Sequence, residues 1–349
     1  MADKADKKRP LIPASRKDKS GSWGYASGRV WCREKNLMGR AGLDRLYTSI
    51  STEDVRRLLL EHGYPQSETV EAMVHAERCL VYGFLDEVSP LDGYYQALVL
   101  GRDAHNLKLA LKWVFIREAS GQEDFKTLIL MPGLLDADLL WRSVVRGDQA
   151  ASMPDWAGAL LAEARQAYSE GFGPGAIDRA IDRGIHAVIA RIVSELKDPW
   201  LEGYFKRVRD LTNLELLLRA RVRSLEPGLY RDSLLSDGLI DLSTWLELYE
   251  ASDQEIMDAL CGTAYQGLTG YFAGYKEREG PEAFSLARDR ELSGYLAEGT
   301  AVLSGPPRVL AYVMARESEF KNTRIVMSAL EDGLEGQAAV ALRRDFIER

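Results

Sequence analysis

The stretch Asp103-Ala-His-Asn106-Leu-Lys108-Leu-Ala-Leu111 returns as Asp210-Leu-Thr-Asn213-Leu-Glu215-Leu-Leu-Leu218, and again as Glu319-Phe-Lys-Asn322-Thr-Arg324-Ile-Val-Met327. The acid-x-x-Asn starts lie 107 and then 109 residues apart. Apolar residues recur in each at three- and four-residue spacing, the period of one face of an α-helix. Acid and Asn stand at i and i+3, so both project from one helical face beside apolar neighbours. A proline precedes each copy by 11 to 13 residues (Pro90, Pro199, Pro306), and an aromatic segment accompanies each (Tyr94-Tyr95, Tyr204-Phe205, Tyr312).

A second marker keeps nearly the same period. Ser51-Thr-Glu-Asp54, Ser152-Met-Pro-Asp155 and Ser252-Asp-Gln-Glu255 each place Ser-x-x-acid ahead of an apolar helical pattern. In a capping box the Ser hydroxyl accepts from the N3 amide while the N3 acid reaches back to the cap amide, so two orphan donors are satisfied. A Gly-Leu pair lies before each box: Gly42-Leu43, Gly133-Leu134 and Gly238-Leu239. Three boxes in step with three acid-x-x-Asn helices predict three copies of one helical unit of about 105 residues.

Around these markers the chain reads as helices throughout. Val55-Leu58-Leu59, Leu107-Leu111-Val114-Phe115 and Ile181-Ile185-Val188-Ile189-Ile192 carry the helical period. Alternating β-branched runs bounded by turn pairs are missing, and breakers such as Pro132-Gly133, Asp198-Pro199 and Gly305-Pro306-Pro307 punctuate the helices instead. The expected class is all-α, divided into a basic tail (1–22), a first unit with an N-terminal helix (23–132), a second (133–237) and a third (238–349).

The tail differs in composition from the rest of the chain. Residues 1–22 hold seven Lys/Arg against three Asp, with Leu11 and Ile12 the only large aliphatics. Such a segment buries too little apolar surface to offset its chain entropy, so disorder is expected, and no apolar run suggests a secretory signal. The chain's net −8, less the tail's +4, leaves −12 on the remainder. An acidic balance argues against a general nucleic-acid binder. Three cysteines (Cys32, Cys79, Cys261) lie far apart, and with four histidines (His62, His75, His105, His186) they form no metal-ligand spacing.

Signals for chemistry are weak. The glycine-rich Gly171-Phe-Gly173-Pro-Gly175 has no preceding strand and no Gly-Lys-Ser/Thr after it, so it is not a phosphate-cradling loop. Asp178 and Asp182, an i,i+4 carboxylate pair, are flanked by Arg179 and Arg183 and read as a solvated salt-bridged face. The pairs Asp103/Asn106, Asp210/Asn213 and Glu319/Asn322 read as buried hydrogen-bonding pairs that tie a helix to a neighbouring loop or helix end. No catalytic residue, cofactor or metal is expected.

Beside these residues the chain resembles the C subunits of the V/A-type rotary ATPases (ATP synthases), the counterparts of the d subunit of the vacuolar enzyme. The resemblance is carried by Trp23-Gly-Tyr25-Ala-Ser-Gly-Arg29-Val30, similar to that family's Tyr-Gly-Tyr-Ala-Asn-Ala-Arg-Val start. It is carried also by Asp103-x-x-Asn106-Leu-Lys108 and by Tyr312-Val-Met-Ala-Arg-Glu317-Ser-Glu319-Phe-Lys-Asn322-Thr-Arg324-Ile325. It runs from Trp23 to the C-terminus. Three departures stand out: Ser27-Gly28 replaces Asn-Ala, with Gly costing about 1 kcal/mol relative to Ala in a helix; Glu215 stands where the other copies have Lys108 and Arg324; and the basic tail is foreign to the family.

The resemblance implies three similar helical domains in a pseudo-threefold, funnel-like arrangement. It implies a non-catalytic rotor part, peripheral on the cytoplasmic face of the membrane, with the central-axle subunits and the proteolipid ring as partners and proton or sodium transport as the process served. Other readings of the residues are a free helical-repeat scaffold for soluble partners and an all-α enzyme built on Asp178 and Asp182.

Overall fold

A computed structural model describes residues 22–116, 121–148 and 152–345, and its regular structure is entirely helical. In chain order the α-helices are α1 (Trp23–Glu34), α2 (Gly39–Tyr47), α3 (Thr52–Glu61), α4 (Val70–Val88) and α5 (Gly93–Ile116). There follow α6 (Gln122–Thr127), α7 (Ala137–Leu140), α8 (Asp155–Ala167), α9 (Pro174–Leu196) and α10 (Pro199–Val222). The last five are α11 (Pro227–Ser233), α12 (Leu242–Glu250), α13 (Asp253–Leu260), α14 (Gly280–Thr300) and α15 (Pro306–Glu331). Wide π-turns at Trp141–Val145 and Tyr168–Phe172 and 3-10 segments at Gln266–Tyr271 and Gly336–Leu342 complete the set. The expectation of disorder in the tail falls on residues 1–21, outside the described part; Ser22 caps α1, its hydroxyl accepting from the Tyr25 amide at 3.3 Å.

The described chain forms two compact units, one of residues 91–196 and the other of 22–90 with 197–345. In the first unit α9 packs along both α5 and α8. Its buried stripe is Ile177, Ile181, Ile185, Val188, Ile189 and Ile192, the helical period in its plainest form, and each buried isoleucine contributes about 1.5–3 kcal/mol. Gly184 lets α8 come close, since a Cβ there would meet Leu160 Cδ2 at 2.0 Å.

The second unit holds two packed groups. In one, α10 to α14 gather round Trp245, Tyr230, Phe284, Leu214, Leu217 and Leu218. In the other, α15 packs against α1, α2, α3 and α4, and it also lies along α14. Helix α15 buries residues on every side, including the unbroken run Arg308 to Val313, as a helix covered all round must. Phe84 of α4 meets Tyr312 edge to face at 6.1 Å, and Tyr64 meets Phe320 likewise at 6.0 Å.

The prolines ahead of the acid-x-x-Asn helices have a local purpose. Pro199 and Pro306 are the first residues of α10 and α15, where a missing N–H costs nothing and the fixed φ suits the helix. Asp198 caps α10, accepting from the amides of Trp200 at 3.0 Å and Leu201 at 3.1 Å. Helix α1 runs regularly through Gly28, and Ser27 accepts from the Gly305 amide at 3.2 Å.

Candidate functional site

All six acid-x-x-Asn side chains are buried: Asp103, Asn106, Asp210, Asn213 and Asn322 have no exposed surface and Glu319 has 5%. The three asparagines act alike. Asn106 donates to the carbonyl of Leu130 at 3.0 Å and accepts from the same residue's amide at 2.8 Å. Asn213 does the same to Leu235 at 2.8 and 2.9 Å, and Asn322 to Arg344 at 2.7 and 2.9 Å. A side-chain amide thus stands in for a strand partner, satisfying the N–H and C=O of one loop residue 22 to 24 positions downstream. Non-helical backbone packed on a core would otherwise leave both groups unpaired.

The acids hold the next residues of the same loops. Asp103 accepts from the amides of Leu134 at 2.9 Å and Leu135 at 3.0 Å. Asp210 accepts from Leu239 at 2.7 Å and from the Tyr265 hydroxyl at 2.7 Å, with Ile240 at 3.4 Å. Glycine precedes each loop because the backbone comes so near: a Cβ on Gly133 would lie 2.7 Å from Asp103 Oδ1, and one on Gly238 2.0 Å from Asp210 Oδ1. Burial pushes the Asp103 carboxyl up to about 6 despite its two amide donors. Burial raises Asp210 as well, against the Tyr265 hydroxyl and the loop amides.

In the third copy the chain's two ends meet. Glu319 accepts at Oε1 from the Met38 amide at 2.6 Å, so the loop held by the acid comes from the N-terminal part while the Asn holds Arg344. Leu37 stands where Gly133 and Gly238 stand in the other copies, and the acid is Glu, whose extra methylene lets the backbone keep its distance. Glu319 Oε2 accepts from Arg316 at 2.7 Å and from the Tyr64 hydroxyl at 3.3 Å. Glu77 lies 3.5 Å from the same guanidinium. Burial raises both carboxyls, Arg316 opposing it in each; burial also works against the charge on Arg316, but Glu319 and Tyr64 outweigh it and hold the cation.

Tyr64 and Tyr265 are the residues that sequence reasoning missed here. Each lies 13 residues after a box serine, Ser51 and Ser252, which was a legible signal. Copy one breaks it, because Arg165 occupies that place after Ser152.

The serines behave differently from one another. Ser252 and Glu255 make a reciprocal box at the start of α13: the hydroxyl accepts from the Glu255 amide at 3.3 Å and the carboxylate from the Ser252 amide at 2.7 Å. Ser51 accepts from the Asp54 amide at 3.2 Å and donates to its carboxylate at 2.8 Å, while that carboxylate's backbone donor is the Ile50 amide at 3.4 Å. Ser152 does not cap α8, which begins at Asp155 behind Pro154 with no side-chain cap bond. A helix starting at Ser152 would need Met153 helical immediately before a proline, a conformation the proline ring disfavours.

The Asn of each acid-x-x-Asn helix therefore closes on the loop after it, as does the acid in the first two copies. The compact unit 91–196 accordingly runs through the 132/133 division that the sequence markers suggest.

Residues considered for chemistry are engaged in ion pairs. Asp182 takes Lys108 at 2.7 Å and Asp178 takes Lys112 at 2.6 Å, while Arg183 turns to Glu163 at 2.6 Å. Glu215, the departure from the Lys108 pattern, pairs with Arg288 of α14, so the ion pair is kept between equivalent helices with its charges exchanged. Among the described residues no group of three or more His, Cys, Asp and Glu is placed to hold a metal ion. Cys32, Cys79 and Cys261 form no disulfide, and no described helix is long and apolar enough to cross a membrane.

Residues 26–339 match the family described as ATP synthase (C/AC39) subunit. The C subunit of the V-type sodium ATPase of Enterococcus hirae is 22% identical over 301 residues, covering 84% of this chain and 90% of that protein. With its repeated helix-to-loop clamps spanning almost the same residues, the chain belongs to the C/AC39 family, the C subunits of V/A-type ATPases.

Proposed function

We propose that this protein is a non-catalytic coupling part of the rotor, seated between the central-axle subunits and the membrane proteolipid ring, on the cytoplasmic face. The observation that carries the reading is the thrice-repeated clamp, in which buried polar side chains are spent on fixing loops to helices. The carboxylates Asp182 and Asp178 on the neighbouring helix are engaged in ion pairs with Lys108 and Lys112. A part that transmits torque needs stiffness, and buried, satisfied polar networks supply it.

The clamps also suggest how the repeats are phased. In this reading the three units are 91–196, 197–305, and 306–345 joined by 22–90, the last closed by Glu319 on Met38. A pseudo-threefold funnel is the arrangement the family resemblance implies for them, with the axle in its mouth. The ion carried by the complex is a proton or sodium; the Enterococcus relative is named for sodium.

The test is a reconstituted membrane complex with and without this protein. ATP hydrolysis by the head should persist in its absence while ATP-driven ion uptake is lost, and adding the chain back should restore uptake. Uptake undiminished without it, or hydrolysis abolished with it missing, would overturn the proposal.

A further inference from the structure

The residue held by the asparagine is leucine in the first two copies, Leu130 and Leu235, and arginine in the third, Arg344. The clamp uses only backbone atoms, so it does not account for the arginine. Asn322 and Ser318 both donate to the Arg344 carbonyl, at 2.7 and 3.0 Å, and the fixed backbone carries the guanidinium to 3.3 Å from Asp289 Oδ2 of α14. There it is one cation too many. Asp289 already has Lys321 at 3.3 Å and Arg288 at 3.7 Å, the latter shared with Glu215. Arg344 Nη1 is buried with no hydrogen-bond partner among the described residues. Three cations on one carboxylate, with a buried donor left over, make a local excess of positive charge in a chain that is acidic as a whole.

Beside this cluster lies an open groove of about 660 Å³, walled by α14, α15 and residues 334–344. Arg344, Lys321 and Asp289 line it, as does Arg324, which has no ion-pair partner among the described residues. Lys321 and Arg324 stand at i and i+3 on α15, so they share a face. Ile325, Ala329, Leu334, Ala339 and Leu342 supply an apolar floor, and Leu334 is 53% exposed. The other carboxylate on the groove, Asp332, lies eight positions beyond Arg324, about 12 Å along the helix direction, and leaves the basic end basic.

We propose that this groove binds a single amphiphilic anion, a molecule with one phosphate or carboxylate head and an apolar body. The head pairs with Arg324 and Lys321, with the Arg344 charge behind them, and the body covers the floor. Guanidinium groups suit either head, because their forked donors match its oxygens. The volume falls in the range of pockets that take one small ligand. Each half is weak alone: an ion pair in contact with water contributes little, and an apolar floor does not choose among apolar ligands. Charge and floor in one recess select for a molecule carrying both. The inference does not rest on the coupling reading.

The test is calorimetric titration of the full chain with decyl phosphate, kept below the concentration at which it forms micelles. It should bind once per chain, about a hundredfold more tightly than inorganic phosphate, which lacks the body, and about tenfold more tightly than decyl glucoside, which lacks the charge. Arg344→Leu restores the residue type of the other two copies and keeps the backbone clamp, so it should lower affinity by about tenfold with an unchanged thermal midpoint. Arg324→Glu, at an exposed position without a partner to lose, should lower it by at least about tenfold. Lys35→Glu, the same change of charge at the end of α1, should leave binding unchanged. Decyl phosphate binding no more tightly than decyl glucoside, or normal binding by either groove variant, would overturn the proposal. Displacement of decyl phosphate by phosphatidic acid held in phosphatidylcholine vesicles would also overturn it, making the occupant a bilayer surface. So would loss of the site in the assembled ATPase complex, because the groove would then be a subunit interface.

Discussion

Replacing Asn213 by Leu removes a clamp while nearly conserving side-chain volume, so the loss reports hydrogen bonding more than packing. Both polar groups of Leu235 lose their partner, the carbonyl at 2.8 Å and the amide at 2.9 Å, and Leu235 itself is 4% exposed. A buried donor or acceptor left unsatisfied costs about 1–3 kcal/mol. Two on one residue set a ceiling of about 6 kcal/mol, which the loop lowers by shifting toward water, and the expected destabilisation is about 3–4 kcal/mol.

Native-state hydrogen exchange at the Leu235 amide is the discriminating assay, since a loss of about 3 kcal/mol speeds exchange by roughly a hundredfold where local opening controls it. Urea unfolding should show the same loss as a lower midpoint. Asn106→Leu and Asn322→Leu should cost less than Asn213→Leu, because their clamps on Leu130 and Arg344 are only partly buried. An Asn213→Leu protein within about 0.5 kcal/mol of wild type, with unchanged exchange at Leu235, would refute the clamp as the reason for the repeated Asn.

Other perturbations test the acids. Gly238→Ala should destabilise by about 2–4 kcal/mol, since its methyl would overlap Asp210 Oδ1, whereas Gly267→Ala, with open space around it, should stay within about 0.5 kcal/mol by thermal unfolding. Asp103 has its folded-state value raised from 3.8 to about 6, so its favourable contribution is complete below 3.8 and is lost as pH rises through 6. The stability difference between wild type and Asp103→Asn, read from urea midpoints, should therefore drift against wild type by about 3 kcal/mol between pH 4 and 7, and a flat difference would remove burial as the cause. Glu215→Lys should set like charges against Arg288 and Arg219, and Glu215→Lys/Arg288→Asp should recover most of the loss, with a coupling of about 1–2 kcal/mol in a double-mutant cycle.

The helices were legible because their determinants are local. The α9 stripe, the proline starts of α10 and α15 and the Ser252 box each lie within a few residues of the element they define. Burial of the acid-x-x-Asn pairs was legible too, since both side chains share a face with core leucines. Their partners were not, because Leu130, Leu235 and Arg344 present only backbone atoms and any side chain serves there. The Ser152 box misled for a different reason: its spacing was right, but Pro154 in the middle restricts Met153, a cost that a pattern of fixed positions does not register.

Glu319 carries a rule that the other two copies state in reverse. Where the acid is Asp, as at 103 and 210, the residue before the held amide is glycine, and a Cβ there would collide with the carboxylate. Where the acid is Glu, the residue before Met38 is Leu37, and the longer side chain spans the added distance to the amide at 2.6 Å. Acid length and loop residue therefore change together, which is what a shared geometric constraint on the three helices produces and chance recurrence of acid-x-x-Asn does not. The same exchange accounts for the supporting cation. A glutamate reaching across a chain junction receives one amide donor where the aspartates receive two, and Arg316, buried beside it with Glu77, supplies the missing hydrogen bond. Removing Arg316 would leave two buried carboxylates facing each other, so the junction between the chain's ends depends on that one guanidinium more than on either acid.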